Sequence, residues 1–299
     1  MSWPMRLALL INRSAGSFRN LSLEPTVAAI AARLGAAGHQ VETEICAARD
    51  LPSALSALAA DHGFDAVVVG GGDGTMLTAI LAGLGIDRPL GILPLGTMNL
   101  LARDLGLPRD PVEAAAMLAN AKPAEIDLAE VNGLPFAIWA SLGMHPWMVR
   151  RRDHLQRDGI GKWRAMALAA LRALRRYPMV KARLTVKGDS FTVATPMIVI
   201  TNNSWRTGQL PPLRPALDSG LLEVHVARCS SRLALAWLAI NAALGRWAVG
   251  RLLETHRAET VQVLSRKRRV MVSLDGEVTV MHPPLLFRAR PRALKVLMP

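Results

Sequence analysis

The sequence is short of cysteine, of aromatic residues and of acid. Two cysteines, Cys46 and Cys229, stand far apart in 299 residues. That spacing supports neither a disulfide framework nor a thiolate metal site, and it fits reduced thiols in a cytosolic protein. Tyr occurs once and Phe five times. No aromatics interleave with the basic residues and no recognition motif accompanies them. The reading is therefore no nucleic-acid partner, although the formal charge is +13. No uninterrupted apolar run reaches the roughly 18 residues of a membrane-crossing helix. The richest stretch, Leu233 to Val249, is broken by Asn241 and Arg246. The run Leu7 to Ile11 is too short for a signal peptide. A cationic chain without nucleic-acid signatures is expected at an anionic membrane surface. The composition sets no oligomeric state.

What is present centres on Ala66-Val67-Val68-Val69-Gly70-Gly71-Gly72-Asp73-Gly74-Thr75. The apolar, mostly β-branched run reads as a buried parallel strand. Glycines remove Cβ atoms where the chain turns, and Thr75 to Ala82 follows with good helix formers. Strand, glycine turn and helix aim backbone N–H groups at an anion. The loop is neither a Walker A sequence, lacking its Lys, nor the dinucleotide fingerprint. Asp73 among the glycines needs a cation or a donor between itself and any phosphate, which a Mg²⁺-nucleotide supplies. A strand-to-helix turn without ligand is the plain alternative.

Around this stretch the chain alternates. Strands are expected at Arg6–Ile11, Val41–Ile45 and Pro89–Leu93, and helices around Val27–Leu34, Leu51–Leu58, Leu100–Leu105 and Val112–Leu118. This is the pattern of a doubly wound α/β domain with a mostly parallel sheet. Its ligands sit at the carboxyl ends of the strands, where the loops at Asn12, Gly72 and Gly96 lie. After about Glu125 strands dominate: Ile126–Val131, Phe136–Leu142, Lys181–Val186, Phe191–Ile200, Leu221–Ala227, Thr260–Leu264, Val270–Leu274 and Leu285–Arg290. They predict a mainly antiparallel β-sandwich second domain. The domains are expected at 1–124, completed by 291–299, and at 125–290, with helical insertions in the second.

One insertion, 150–183, carries Arg150, Arg151, Arg152, Arg157, Lys162, Arg164, Arg172, Arg175, Arg176, Lys181 and Arg183 against Asp153 and Asp158. With Trp163, Met166, Leu168, Leu171 and Leu174 between them, a basic helix lying on an anionic inner-membrane surface competes evenly with a solvated helix. The other, Leu233 to Leu253, reads as a core or inter-domain helix.

Three motifs occur in order: Gly71-Gly72-Asp73-Gly74-Thr75, Pro94-Leu95-Gly96-Thr97-Met98-Asn99 with Ala102-Arg103, and Leu274-Asp275-Gly276-Glu277. Together with Ile126-Asp127-Leu128, Ser141-Leu142-Gly143 and Ala216 to Leu222, they resemble the bacterial diacylglycerol kinase and lipid kinase family, related to sphingosine kinases and more remotely to NAD kinases. The resemblance implies a two-domain fold that binds ATP and Mg²⁺ in its cleft and phosphorylates a lipid hydroxyl while peripherally associated with the cytoplasmic face of the membrane. It implies that Gly71, Gly72, Asp73, Gly74 and Thr75 hold the phosphates, that Asn12, Gly96, Thr97 and Asn99 complete the nucleotide pocket, and that Asp73 faces the Mg²⁺. It makes Asp275 the general base, supported by Glu277, and Asp218 a ligand of an accessory metal. Asp275-Gly276 alone reads as a hairpin turn. The chain departs from the family pattern at Arg13, Thr78, Leu100 and Ser219. An NAD kinase-like phosphotransferase and a nucleotide- or lipid-binding protein without chemistry are the competing readings.

Overall fold

A computed structural model describes residues 4–176, 179–205, 214–229, 231–243 and 252–299, with 162, 163, 242 and 243 described by backbone alone. The chain forms two compact units, residues 1–128 with 291–299, and 129–290.

The first unit begins β1 (Arg6–Asn12), α1 (Leu23–Gly35), β2 (Gln40–Cys46), α2 (Leu51–Ala60), β3 (Ala66–Gly71), α3 (Asp73–Leu81), β4 (Leu90–Pro94), α4 (Leu100–Asp104) and α5 (Pro111–Leu118). The strands β2, β1, β3 and β4 lie in that order and are parallel. Leu9, Leu10, Ile11, Val67, Val68, Val69, Ile92 and Leu93 are buried, because helices cover both faces of such a sheet and its central strands β1, β3 and β4 carry apolar runs. At the edge, β2 alternates charge with apolar residues and is largely exposed, which protects an unpaired strand edge. Asp110 caps α5 by accepting from the backbone N–H of Val112 and Glu113 at 2.8 and 2.9 Å.

Next comes β5 (Lys122–Val131), which passes from this unit into the second. Asp127 in it is buried and accepts from the backbone N–H of Arg292 at 3.0 Å. The second unit continues with β6 (Leu134–Phe136), β7 (Trp139–Gly143), α6 (Met144–Arg157), α7 (Lys162–Arg176), β8 (Val180–Val186), β9 (Asp189–Thr195), β10 (Met197–Asn202), β11 (Leu222–Ala227), α8 (Arg232–Ala243), β12 (Leu253–Ala258), β13 (Thr260–Ser265), β14 (Val270–Leu274), β15 (Glu277–Met281) and β16 (Leu285–Met298). One antiparallel sheet has the order β12-β11-β10-β7-β14-β15. A second antiparallel layer is built from β9, β8, β13 and the first half of β16. The second half of β16 returns to the first unit, with Val296 opposite Leu90 of β4. The fold is thus an α/β domain with a C-terminal antiparallel β-sandwich.

Three sequence expectations are corrected. Phe136–Leu142 is two strands, because the backbone N–H groups between them turn to a carboxylate. Phe191–Ile200 is two strands, separated at Pro196, which cannot donate to a ladder. Leu233–Leu253 is not one helix: α8 is described to Ala243, 244–251 including Trp247 lie outside the described residues, and Leu253 opens β12, paired with Ala227.

The basic segment is two helices, separated at Asp158 to Gly161. Ala165, Ala169 and Ala173 form the buried stripe of α7, while Leu168 and Leu171 are exposed. The small inward residues allow close packing, and α6, α7 and α8 share a core containing Met144, Ala173, Leu235 and Leu238. Arg176 lies over the Trp147 ring at 6.0 Å, tying the end of α7 to α6. Trp163, expected on the apolar side, lies outside the described side chains.

Candidate active site

In the first unit three loops meet at the carboxyl ends of β1, β3 and β4. Asn12, buried at the end of β1, donates from Nδ2 to Thr75 Oγ1 at 3.0 Å and accepts the Ser14 N–H at 3.0 Å. Leu95 joins the others through backbone bonds: its N–H donates to Gly71 O at 3.0 Å, and its carbonyl accepts from Ser17 at 2.9 Å. Gly72 and Gly96 touch backbone to backbone. A Cβ on Gly96 meets Gly72 Cα at 2.4 Å and Asn99 Oδ1 at 2.7 Å. Only hydrogen fits there, which is why the two loops can close on one place.

Gly72 is the N-cap of α3 and offers no side-chain oxygen to that helix. The first-turn N–H groups of a helix have no intrahelical partner, and a glycine cap leaves them for an anion. Asp73 sits in this turn, and its Oδ1 accepts the Leu100 N–H at 2.6 Å. The carboxylate therefore also holds the start of α4. Asn99, at φ 49°, bridges its own loop, accepting from Gly96 N at 2.7 Å and donating to Gly96 O at 2.9 Å. Thr97 flanks this loop, its Oγ1 lying 3.5 Å from the position of a Cβ on Gly16. Two departures from the family pattern have local explanations. Thr78 bonds back to Gly74 O at 2.8 Å, and Leu100 is buried while its N–H serves Asp73. Asn99→Ala loses two hydrogen bonds and must hold a left-handed backbone, so it is expected to destabilise the protein by about 2–4 kcal/mol. A lowered denaturant midpoint at unchanged slope checks it.

Asp275 belongs to the second unit. Leu274 pairs with Glu277, so Asp275-Gly276 is a two-residue hairpin turn, with φ 47° and 95°. Those angles are those of a type I′ turn, for which Asp-Gly is suited. The side chain does more than make the turn. Oδ2 accepts the Ala137 N–H at 2.7 Å, and Oδ1 accepts those of Ile138 and Trp139, each at 2.9 Å. These are the N–H groups missing from the expected single strand. Burial raises the Asp275 carboxyl to about 6, against the lowering effect of the three N–H donors and of the Arg214 cation. Arg214 Nη1 donates to Ala137 O at 2.5 Å and Asn202 Nδ2 to the same oxygen at 3.0 Å, so the peptide under the carboxylate is fixed from both sides. Glu277 is exposed and forms no hydrogen bond with Asp275 among the described residues; Arg214 and the three N–H groups are what surround the carboxylate.

The sequence reading missed Arg214 and Asn202, since neither sits at a motif spacing. It also missed a polar and aromatic row beside the same sheet. Ser141 Oγ pairs with His145 Nδ1 at 2.7 Å, and burial lowers His145 to about 4. Trp139 meets His145 and Trp205 edge-on at 6.3 and 5.4 Å, and Trp205 stacks on His225 at 5.6 Å. Asp218 joins no cluster of three or more potential metal-binding side chains among the described residues. Next to it, Ser219 donates from both N and Oγ to Asn203 Oδ1.

The α/β unit thus brings three loops to the N-terminus of α3, and the β-sandwich unit carries a buried carboxylate on a hairpin turn. Residues 6–131 match the diacylglycerol kinase catalytic domain, and residues 148–298 match the YegS C-terminal NAD kinase beta sandwich-like domain. The chain belongs to the diacylglycerol kinase and lipid kinase family. A diacylglycerol kinase of Mycobacterium tuberculosis is 33% identical over 253 residues, 82% of this chain and 80% of that protein. A probable lipid kinase YegS-like protein of Chromohalobacter salexigens is 29% identical, covering 68% and 67%. A crystal structure described as a putative diacylglycerol kinase from Bacillus anthracis has a TM-score of 0.79 over 100% of this chain and 97% of that one, at 20% identity. That likeness concerns the fold.

Proposed function

We propose that the protein is an ATP-dependent lipid kinase that phosphorylates a hydroxyl of a membrane lipid, such as diacylglycerol or a ceramide-like or sphingoid lipid. The observation that carries the reading is the Gly72–Gly96 contact, which brings the loops after β1, β3 and β4 to the uncapped N-terminus of α3. Backbone N–H groups there suit phosphate oxygens. Asp73 is the carboxylate of that turn. Mg²⁺ is held in such sites by one or two carboxylates and the substrate phosphates, so a lone carboxylate fits it better than a protein cage. The metal's chemistry is to neutralise charge on the transferred phosphoryl group.

Asp275 is assigned the base. A carboxyl raised to about 6 is ionised at neutral pH yet basic enough to take the proton of a lipid hydroxyl. The role expected for Glu277 as its support passes to Arg214 and the N–H groups of Ala137 to Trp139. The protein acts at the cytoplasmic face of a membrane, which its basic second-unit helices would approach. Among the described residues no helix is long and apolar enough to cross a membrane.

The test is radiolabelled ATP incubated with purified protein, Mg²⁺ and a total lipid extract, with identification of the labelled lipid. Labelling of NAD in place of lipid overturns the reading. So does ATP binding without transfer to any lipid. If Asp275 is the base, kcat/KM rises as pH increases through about 6 and then levels, because only the ionised form accepts a proton. A flat profile from pH 5 to 8 removes the assignment.

A further inference from the structure

We propose that the outward face of α8, with the outward face of α7, is the surface by which this protein inserts into an anionic lipid bilayer. The proposal rests on the lipid-kinase reading only for its purpose; its observations are separate.

Helix α8 is apolar on both sides. Leu235 and Leu238 are buried in the core shared with α6 and α7. Leu233, Trp237 and Ile240 are 84%, 57% and 53% exposed. Their spacing is i, i+4, i+7, so they form one ridge on the side opposite Leu235 and Leu238. Single exposed apolar residues need no explanation, but an aligned Trp, Leu and Ile ridge exposes apolar area that folding has left uncovered. The sequence reading placed this helix in the core, and the inward half of it is there.

Charge decides the occupant. On α7, Arg164, Leu168, Leu171 and Arg175 are exposed and turned away from the buried alanines, and Arg172 is exposed at the margin of the alanine stripe. The helices α7 and α8 pack against each other and share one core, so the arginines and the apolar ridge stand on adjacent helices. A second copy would bring arginines against arginines in a chain of formal charge +13. An anionic bilayer offers the opposite charge and an apolar interior. Trp is favoured at its boundary, and arginine stems lie along the acyl surface while the guanidinium groups meet the phosphates.

The experiment measures co-sedimentation of the full chain with phosphatidylcholine vesicles containing phosphatidylglycerol, without ATP or acceptor. The wild type is expected to bind these and to lose binding to pure phosphatidylcholine or in high salt. Replacing Leu233, Trp237 and Ile240 together by Ser is expected to reduce binding at least tenfold. Trp237→Phe is expected to retain most of it. Replacing Arg164, Arg172 and Arg175 by Gln is expected to reduce binding on the order of 100-fold and to remove most of the salt dependence. None of these side chains is buried, so circular dichroism and melting of the variants should match the wild type. Unchanged vesicle binding by the Ser variant overturns the proposal. So does a wild-type dimer that the Ser variant converts to monomer, because the ridge is then a self-association surface. Vesicle binding that survives while no lipid is phosphorylated refutes the kinase reading and leaves the docking surface standing.

Discussion

Asp275→Asn is expected to lower kcat by about 100- to 10,000-fold, the usual contribution of a positioned general base, with ATP affinity unchanged. The substitution is nearly isosteric and separates the base from the anchor. The Asn carbonyl keeps the position of Oδ1 and still accepts from Ile138 and Trp139, while its amide faces the Ala137 N–H and loses that bond. The lost bond and the opposed donors cost about 1–3 kcal/mol. A gain offsets this. Burial raises the carboxyl from 3.8 to about 6, so the ionised form costs the folded state about 3 kcal/mol at neutral pH. A neutral amide escapes that cost. Fold and stability at pH 7 should therefore change little while turnover collapses.

The same shift has a sign that calorimetry can read. The folded carboxyl binds its proton more tightly than the unfolded one. The stability this confers is complete below about 4 and is lost as pH rises through about 6. The ionised state needed for catalysis is thus the state that destabilises the fold. In Asp275→Asn this contribution to the pH dependence of stability between 4 and 6 should vanish. Retained turnover with altered pH dependence would make Asp275 only the anchor of the hairpin, which its place in a type I′ turn already explains.

How far the sequence could be read follows from which neighbours each element has. The strand β3 is legible because both faces are covered, so it is apolar without interruption, and the glycines after it mark the turn. The site loops are legible because the restriction is steric: at position 96 only glycine permits the approach of the two loops. The interruption between β6 and β7 was not legible. Nothing in Phe136 to Leu142 announces that three backbone donors serve a carboxylate 136 to 138 residues later. Nor was β12 legible, for Leu-Glu-Thr-His-Arg-Ala is polar and, among the described residues, pairs only with β11 on the sheet it edges. The Ala- and Leu-rich face of α8 hid its direction, since a helix apolar all round gives no indication of which side the core will take.

Gly96→Ala should have a large effect on the nucleotide side, and it should exceed that of Gly72→Ala although the two glycines touch each other. The reason is directional. A Cβ on Gly72 meets Gly96 Cα at 3.2 Å, a distance that a shift of a few tenths of an ångström relieves. A Cβ on Gly96 meets Gly72 Cα at 2.4 Å and Asn99 Oδ1 at 2.7 Å. Neither obstacle is the loose end of a flexible side chain. Gly72 is backbone leading into α3, and the Asn99 oxygen is already held by the Gly96 N–H. The loops must separate, at a cost of about 1–3 kcal/mol in stability. Separation also moves the N-terminus of α3 away from the loop after β4, so groups that meet a phosphate together no longer do. Small misplacements of positioning groups reduce rates by about 100-fold. The expected result is a lower melting temperature, a smaller rise in it when ATP and Mg²⁺ are added, and a kcat/KM for ATP reduced on that order, with Gly72→Ala closer to the wild type on all three. Equal behaviour of the two variants would mean that the loops are free to part, and the contact would then not be what assembles the site.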